Sequence, residues 1–250
     1  MLKWGRVVAV ALLLVAGWGG RGSAQAAGAQ GGSASDDIAN RRMLLPSVSF
    51  RFELAGLAVP RFTLTIFSDA TGTYEGEEAP ATGGRAADPA VPPQLFHREL
   101  TVTPALAARV LKTARELNHF KMECESKAKN VAETGRKTLT YGAPDGGGAC
   151  TYNYSDDERV QGLTAIFRGL AETMDEGRRL DYLHRFDRLG LDAELELLSH
   201  EVSEGSAREL GTIAPSLRAI AGDPEVMQRV RTRAGAMLAT IPDRPGQGPR

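Results

Sequence analysis

The sequence predicts an α+β protein: a mainly antiparallel sheet packed with two helices, followed by an all-helical C-terminal appendix. Three observations lead there. Apolar and polar residues alternate through 48–54, 62–67 and 94–102, which puts every second side chain on one face of a strand. Apolar residues then recur at spacings of three and four through 106–117 and 160–174, the stripe of an amphipathic helix. From Leu191 onward only the helical spacing remains, and strands first with helices last suit an α+β arrangement.

The chain opens on an address. Lys3 and Arg6 precede an apolar run at 7–16, and Ala24-Gln25-Ala26 supplies the small-x-small pattern that signal peptidase reads. That run is shorter than the roughly 20 residues that span a bilayer. Residues 1–26 are therefore expected to be a signal peptide cut after Ala26, with Ala24 and Ala26 as its recognition residues. No cysteine lies near the cut to take a lipid, so no stable membrane anchor is expected after cleavage, and the mature chain is placed in the periplasm or secreted. Residues 27–45, rich in Gly, Ala and Ser at their start, read as a flexible leader.

The elements follow in order. The stretch 48–54 puts Val48, Phe50, Phe52 and Leu54 on one face. The runs 62–67 and 73–76 make a hairpin, with Asp69 starting the turn and Gly72 expected to take the unusual φ. Residues 77–93, dense in Ala, Gly and Pro, read as an inserted loop. In 94–102 the heavier face is Phe96, Arg98, Leu100 and Val102, so His97 is expected to point outward. Thr103-Pro104 starts a helix, Thr as N-cap and Pro in the first turn, ending near Asn118-His119. A polar stretch at 121–134 holds Cys124. Short strands at 138–141 and 149–154 flank a turn at 143–148.

Ser155 to Glu158 has the spacing of a capping box ahead of the helix through Met174. Gly177 is expected to end or weaken that helix before a second charged stretch through Leu180, Leu183 and Phe186. Asp192 is expected to cap the next helix, and Ser206 with Glu209 to form a second capping box. Pro215 should kink or restart that helix, and Asp223-Pro224-Glu225 should open the last one. The domain reading is 1–26 signal peptide, 27–45 leader, 46–176 α+β domain, 177–241 helical region and 242–250 disordered tail.

Composition narrows the function. Lys plus Arg is 30 against 31 Asp plus Glu, a net charge of −1, which leaves no basic footprint for nucleic acid. Two cysteines, Cys124 and Cys150, are an even pair in an oxidising compartment and are expected to form a disulfide. The sharper alternative makes Cys124 a nucleophile with His119 as its base. His184 and Asp187 fall one helical turn apart, but zinc chemistry needs three or four ligands in recognisable spacing. Asp156, Asp157 and Glu158 are accounted for by a helix start. Gly146-Gly147-Gly148 lacks the Lys-Ser/Thr of a phosphate loop, and no Gly-x-Ser-x-Gly elbow is present. No catalytic, metal or cofactor residue is assigned, and no cofactor is expected.

The run from Phe62 to Gly76, read with the helix at 100–120, the strand pair at 137–154 and the closing helix at 158–174, resembles an exported bacterial family of unknown function. Members of that family read LTIxxDGTxxYxG, then a helix ending in an aromatic, a strand pair and a closing helix. The likeness covers about residues 47–176. It departs at Ser68-Asp69-Ala70-Thr71, where the family has a tighter Asp-Gly turn, and in the loop at 77–93. It implies fold and export but no mechanism. Residues 209–241 more weakly resemble one HEAT-type helical pair. The function expected is a non-catalytic binding or structural domain of the cell envelope, its C-terminal helices offering a surface to another exported protein. The alternative is an exported hydrolase with its site near the 77–93 loop and the 175–188 helix.

Overall fold

The computed structural model describes residues 44–80, 91–144 and 146–242. Ala24 and Ala26, nearly all of the leader, positions 81–90 of the inserted loop and 243–250 of the tail lie outside the described residues. Six antiparallel strands, β1 (Ser47–Glu53), β2 (Arg61–Phe67), β3 (Thr71–Glu78), β4 (Gln94–Thr101), β5 (Arg136–Ala143) and β6 (Gly146–Tyr152), form one sheet in the order β4-β3-β2-β1-β5-β6. Helices α1 (Pro104–Glu116) and α2 (Glu158–Phe186) belong with the sheet, and α3 (Leu191–Glu204), α4 (Ala214–Gly222) and α5 (Gln228–Ala239) follow. The α+β class with a helical C-terminal part is as expected.

Alternation does what it should. Phe50 pairs with Leu64 and Leu139, and Phe52 with Phe62. These side chains, with Val48, Ile66, Tyr74 and Tyr141, are buried on one face, and Phe167 of α2 stacks on Phe50 at 5.3 Å. Each such Phe or Leu stabilises the fold by about 1.5–3 kcal/mol. The other face is polar: Ser49 Oγ bonds Thr65 Oγ1 at 2.8 Å and Thr138 Oγ1 bonds Thr151 Oγ1 at 3.0 Å. His97 is exposed on that face, as its place in the alternation requires.

Tertiary contacts overrule several local expectations. In the hairpin it is Ala70, at φ 67°, that takes the left-handed conformation, while Asp69 Oδ1 accepts from the Thr71 N–H at 2.9 Å. Gly72 is needed for space instead, because a Cβ there would lie 2.4 Å from the Thr65 carbonyl oxygen. The glycines expected in the 143–148 turn begin β6, whose backbone passes so close to His119 that a Cβ on Gly148 would meet its carbonyl at 2.4 Å. At α2, Asp157 is the N-cap, accepting from the Arg159 N–H at 2.8 Å, and Ser155 accepts from Asp157 N–H instead. The Arg159 guanidinium, donating to Asp157 Oδ2 at 2.6 Å, holds the Asp157 carboxyl below its usual range.

Gly177 does not end α2. The helix runs 29 residues, and Gly177 is buried where a Cβ would come 2.4 Å from Ile213 Cγ2. One helix thus carries both the sheet packing and the C-terminal helices. Asp192 sits inside the first turn of α3, after Gly190, and pairs with Arg229 at 2.8 Å and Arg233 at 2.7 Å. Ser206 and Glu209 form no capping box: the Ser206 hydroxyl donates to the Glu201 carbonyl, and Glu209 precedes the short 3-10 helix Leu210–Ile213 without a side-chain cap bond. α3 ends at Gly205, φ 74°, and the Glu209 carboxylate reaches the sheet domain, accepting from the Thr103 N–H at 2.9 Å and the Thr103 hydroxyl at 2.8 Å. Thr103 in turn caps α1 at the Leu106 N–H, as expected. Pro215 does restart a helix, α4. α5 begins only at Gln228, because Asp223 folds back to accept from the Glu225 N–H at 2.9 Å.

Glu209 therefore ties the helical part to the start of α1. Replacing it with alanine is expected to cost about 1–2 kcal/mol, the range for a lost charge-assisted cap. Urea unfolding would measure this, and a Glu209→Ala variant as stable as the parent would remove the assignment.

Candidate functional site

The cysteines are joined. Cys124 and Cys150 form a disulfide with their Cα atoms 5.7 Å apart, tying the segment after α1 to β6. With its sulfur bonded, Cys124 is no nucleophile, and His119 packs its ring on Tyr141 at 4.5 Å. The other histidines are dispersed. His97 Nδ1 lies 2.9 Å from Glu75, His184 Nε2 2.8 Å from Asp223, and His200 Nε2 3.5 Å from Glu204. His184 thus turns away from Asp187, whose Oδ1 accepts from the Gly190 N–H. Asp156 accepts from the Ser126 hydroxyl at 2.7 Å. These groups do not converge.

Two segments singled out in the sequence do meet. α2 crosses β3 and β4, and Asp175 and Arg178, three apart on one helix face, project toward the sheet. The buried Tyr74 hydroxyl donates to Asp175 Oδ2 at 3.0 Å, and Arg178 Nη1 donates to Asp175 Oδ1 at 2.8 Å. Arg178 Nη2 also donates to Glu78, at the start of the inserted loop. The Arg178 guanidinium lies over the Phe96 ring at 3.8 Å, within cation–π range. Burial raises the Asp175 carboxyl above its ordinary value and pushes the Tyr74 phenol far up. Every strong donor here faces an acceptor, so the network works as a clamp between helix and sheet. It contains no nucleophile paired with a base.

Beside the clamp runs a groove of about 270 Å³ lined by Arg98, Gly177, Arg178, Asp181, Ile213 and Pro215, among others. Arg98 and Asp181 pair at 3.3 Å. Thr212, also on its wall, has a buried hydroxyl without a partner among the described residues. The groove holds neither His184 nor Asp187.

Farther along α2 the surface changes character. Tyr182, Phe186 and Leu189 are 61%, 64% and 78% exposed. The Tyr182 and Phe186 rings lie 5.1 Å apart, and the Arg185 guanidinium sits 5.0 Å from the Phe186 centroid. In the charged stretch through Leu180, Leu183 and Phe186, Leu180 is buried and Leu183 packs against the core, whereas Phe186 stands in solvent. The available signal was Tyr182 and Phe186 at i and i+4, a face of their own. Clustered exposed aromatics beside arginine are the composition of binding hot spots.

Lys137 was also unforeseen. It is 4% exposed on the core side of β5, and its Nζ donates to the carbonyls of Gly135 at 2.6 Å, Asn153 at 2.7 Å and Thr134 at 3.1 Å. Burial pulls its pKa down, yet its protons are engaged by backbone oxygens, which makes it a structural tie. No helix among the described residues is long and apolar enough to cross a membrane. Compared with known proteins, the sequence matches no family model and no curated protein.

Proposed function

We propose that this chain is an exported, non-catalytic binding protein of the cell envelope, periplasmic or secreted after loss of residues 1–26, and that the end of α2 docks another exported protein. The ledge of Tyr182, Phe186 and Leu189 carries this reading, because large side chains so exposed at a helix corner are stabilised by a partner rather than by the fold. The disulfide is compatible with an oxidising compartment, and the segment order through 47–176 resembles that of an exported family. The hydrolase alternative draws on the meeting of Glu78 with Arg178. Those groups neutralise each other, which weakens them as acid and base.

A photo-cross-linking residue placed at 186, with a control at 140 on the polar sheet face, tests the reading in the exporting cell. The expected result is one defined adduct from position 186 alone, diminished when Tyr182 and Leu189 are replaced by alanine, with the exported chain beginning at Ala27. Equal adducts from both positions, or an uncleaved cytosolic chain, would overturn it. Turnover of generic esters, phosphates or peptides by the purified chain would support the hydrolase.

A further inference from the structure

Across the α2–α3 interface three glutamates meet with too few donors. Glu176 stands on α2, and Glu194 and Glu201 on α3. Glu194 is 4% exposed. On each of the three, one carboxyl oxygen is buried without a hydrogen-bond donor among the described residues: Glu176 Oε2, Glu194 Oε1 and Glu201 Oε2. The positive group facing them is Arg179 of α2. Its Nε lies 2.9 Å from Glu194 Oε1, an ion-pair distance without hydrogen-bond alignment, and its side chain is 60% exposed. Glu172 of α2 and His200 of α3 act on Glu201. The 3-10 turn Leu210–Ile213, which also packs on α2, carries no ionisable side chain, α4 offers only the exposed Arg218, and α5, packed on α3, directs Arg229 and Arg233 to Asp192.

One largely solvated guanidinium is weak compensation for adjoining carboxylates at a buried interface, so the stable arrangement keeps one of them protonated. Glu176 is that one. Its carboxyl is pushed up to about 8, first by burial, then by its hydrogen bond with Glu194 and by the charges of Glu194 and Glu201. A proton on Glu176 donated to Glu194 removes one negative charge and supplies a missing donor. We propose that this proton is a latch holding α3 against α2, weakening as the medium passes from acid to mildly alkaline and so loosening the corner that bears Leu189. Because the folded value is raised, the latch is at full strength below the ordinary 4.5 of a glutamate and is lost as the pH rises through about 8. The consequence for docking rests on the binding reading, whereas the latch does not.

The test is a carbon-13 titration of the glutamate carboxyls in the purified chain, with amide exchange across Leu191–Glu204 corrected for its intrinsic pH dependence. One carboxyl is expected to titrate near pH 8. Linkage sets an upper limit of tenfold more opening of α3 per pH unit. With partial exposure, at least about tenfold is expected between pH 5.5 and 7.5, levelling above pH 8. Glu176→Gln keeps a donor toward Glu194 but cannot titrate, and its α3 should open independently of pH. The latch is refuted if every glutamate titrates below pH 6, if opening is flat in the parent chain, or if Glu176→Gln keeps the parent's pH response. Should that variant fail to fold, the titration and exchange of the parent decide alone. Cross-linking from position 186 at a single pH is unaffected by the latch's failure, which separates the two readings.

Discussion

Serine at both 124 and 150 is expected to destabilise the chain by about 3–4 kcal/mol, the chain-entropy value for releasing a loop of this size, here with a sequence separation of 26. The effect should be felt first just before Cys124. Asn118, His119 and Phe120 are three consecutive residues in the left-handed region, at φ 52°, 56° and 62°, a conformation that costs non-glycine residues roughly 1–2 kcal/mol each. They hold it because Phe120 is fully buried, the His119 ring rests on Tyr141, and Gly148 leaves room for the His119 carbonyl. The disulfide anchors this docked turn a few residues downstream. Urea unfolding with and without reductant, paired with amide exchange at 118–126, should show the stability loss and an early release of this segment. Equal stability of the oxidised and reduced chains would remove the clasp from the account.

Arg178→Ala should be the most damaging single charge deletion in the clamp. Removing one partner of a buried pair costs about 3–5 kcal/mol. The Arg178 side chain is 15% exposed but that of Asp175 is 34% exposed, so solvent screening lowers the expectation to about 2–3 kcal/mol. The loss arises mainly from an Asp175 carboxylate left half-buried without its cation. Adding Asp175→Asn to Arg178→Ala should therefore recover about 1 kcal/mol or more, a coupling that a double-mutant cycle reads directly. The pH dependence has a definite sign. Burial already raises the Asp175 carboxyl, and losing Arg178 raises it further. The single variant should regain stability below the ordinary aspartate value and lose it as the pH rises through the elevated one. Additive single effects would mean that Asp175 and Arg178 do not act together.

The disulfide and the clamp are legible at different levels of the structure. The cysteine pair and its bridge followed from parity and compartment alone, before any geometry. The clamp did not. In the sequence Asp175 and Arg178 are two of five charged residues between 175 and 181, and Tyr74 is one residue of a hairpin. What joins them is the crossing of α2 over β3 and β4, which sets residues about 100 positions apart against one another. The same holds for Glu209, which has the spacing of a local capping box with Ser206 and instead holds Thr103, the N-cap of α1, across 106 positions.

Local order was determined by the sequence: which stretches are strands, which face of β1 is buried, where α1 starts, that Pro215 begins a helix, and that two sulfurs pair. Such features depend on periodicity and on side chains reaching their own neighbouring backbone, within a few residues of chain. Only the tertiary structure decided that Gly177 lies inside a continuous helix, that Ala70 rather than Gly72 turns left-handed, that Tyr182 and Phe186 face outward, and that three glutamates share one interface. Each of those outcomes depends on the space and charge presented by a distant segment. A buried carboxylate or a missing Cβ is stabilising or destabilising only with respect to what packs against it.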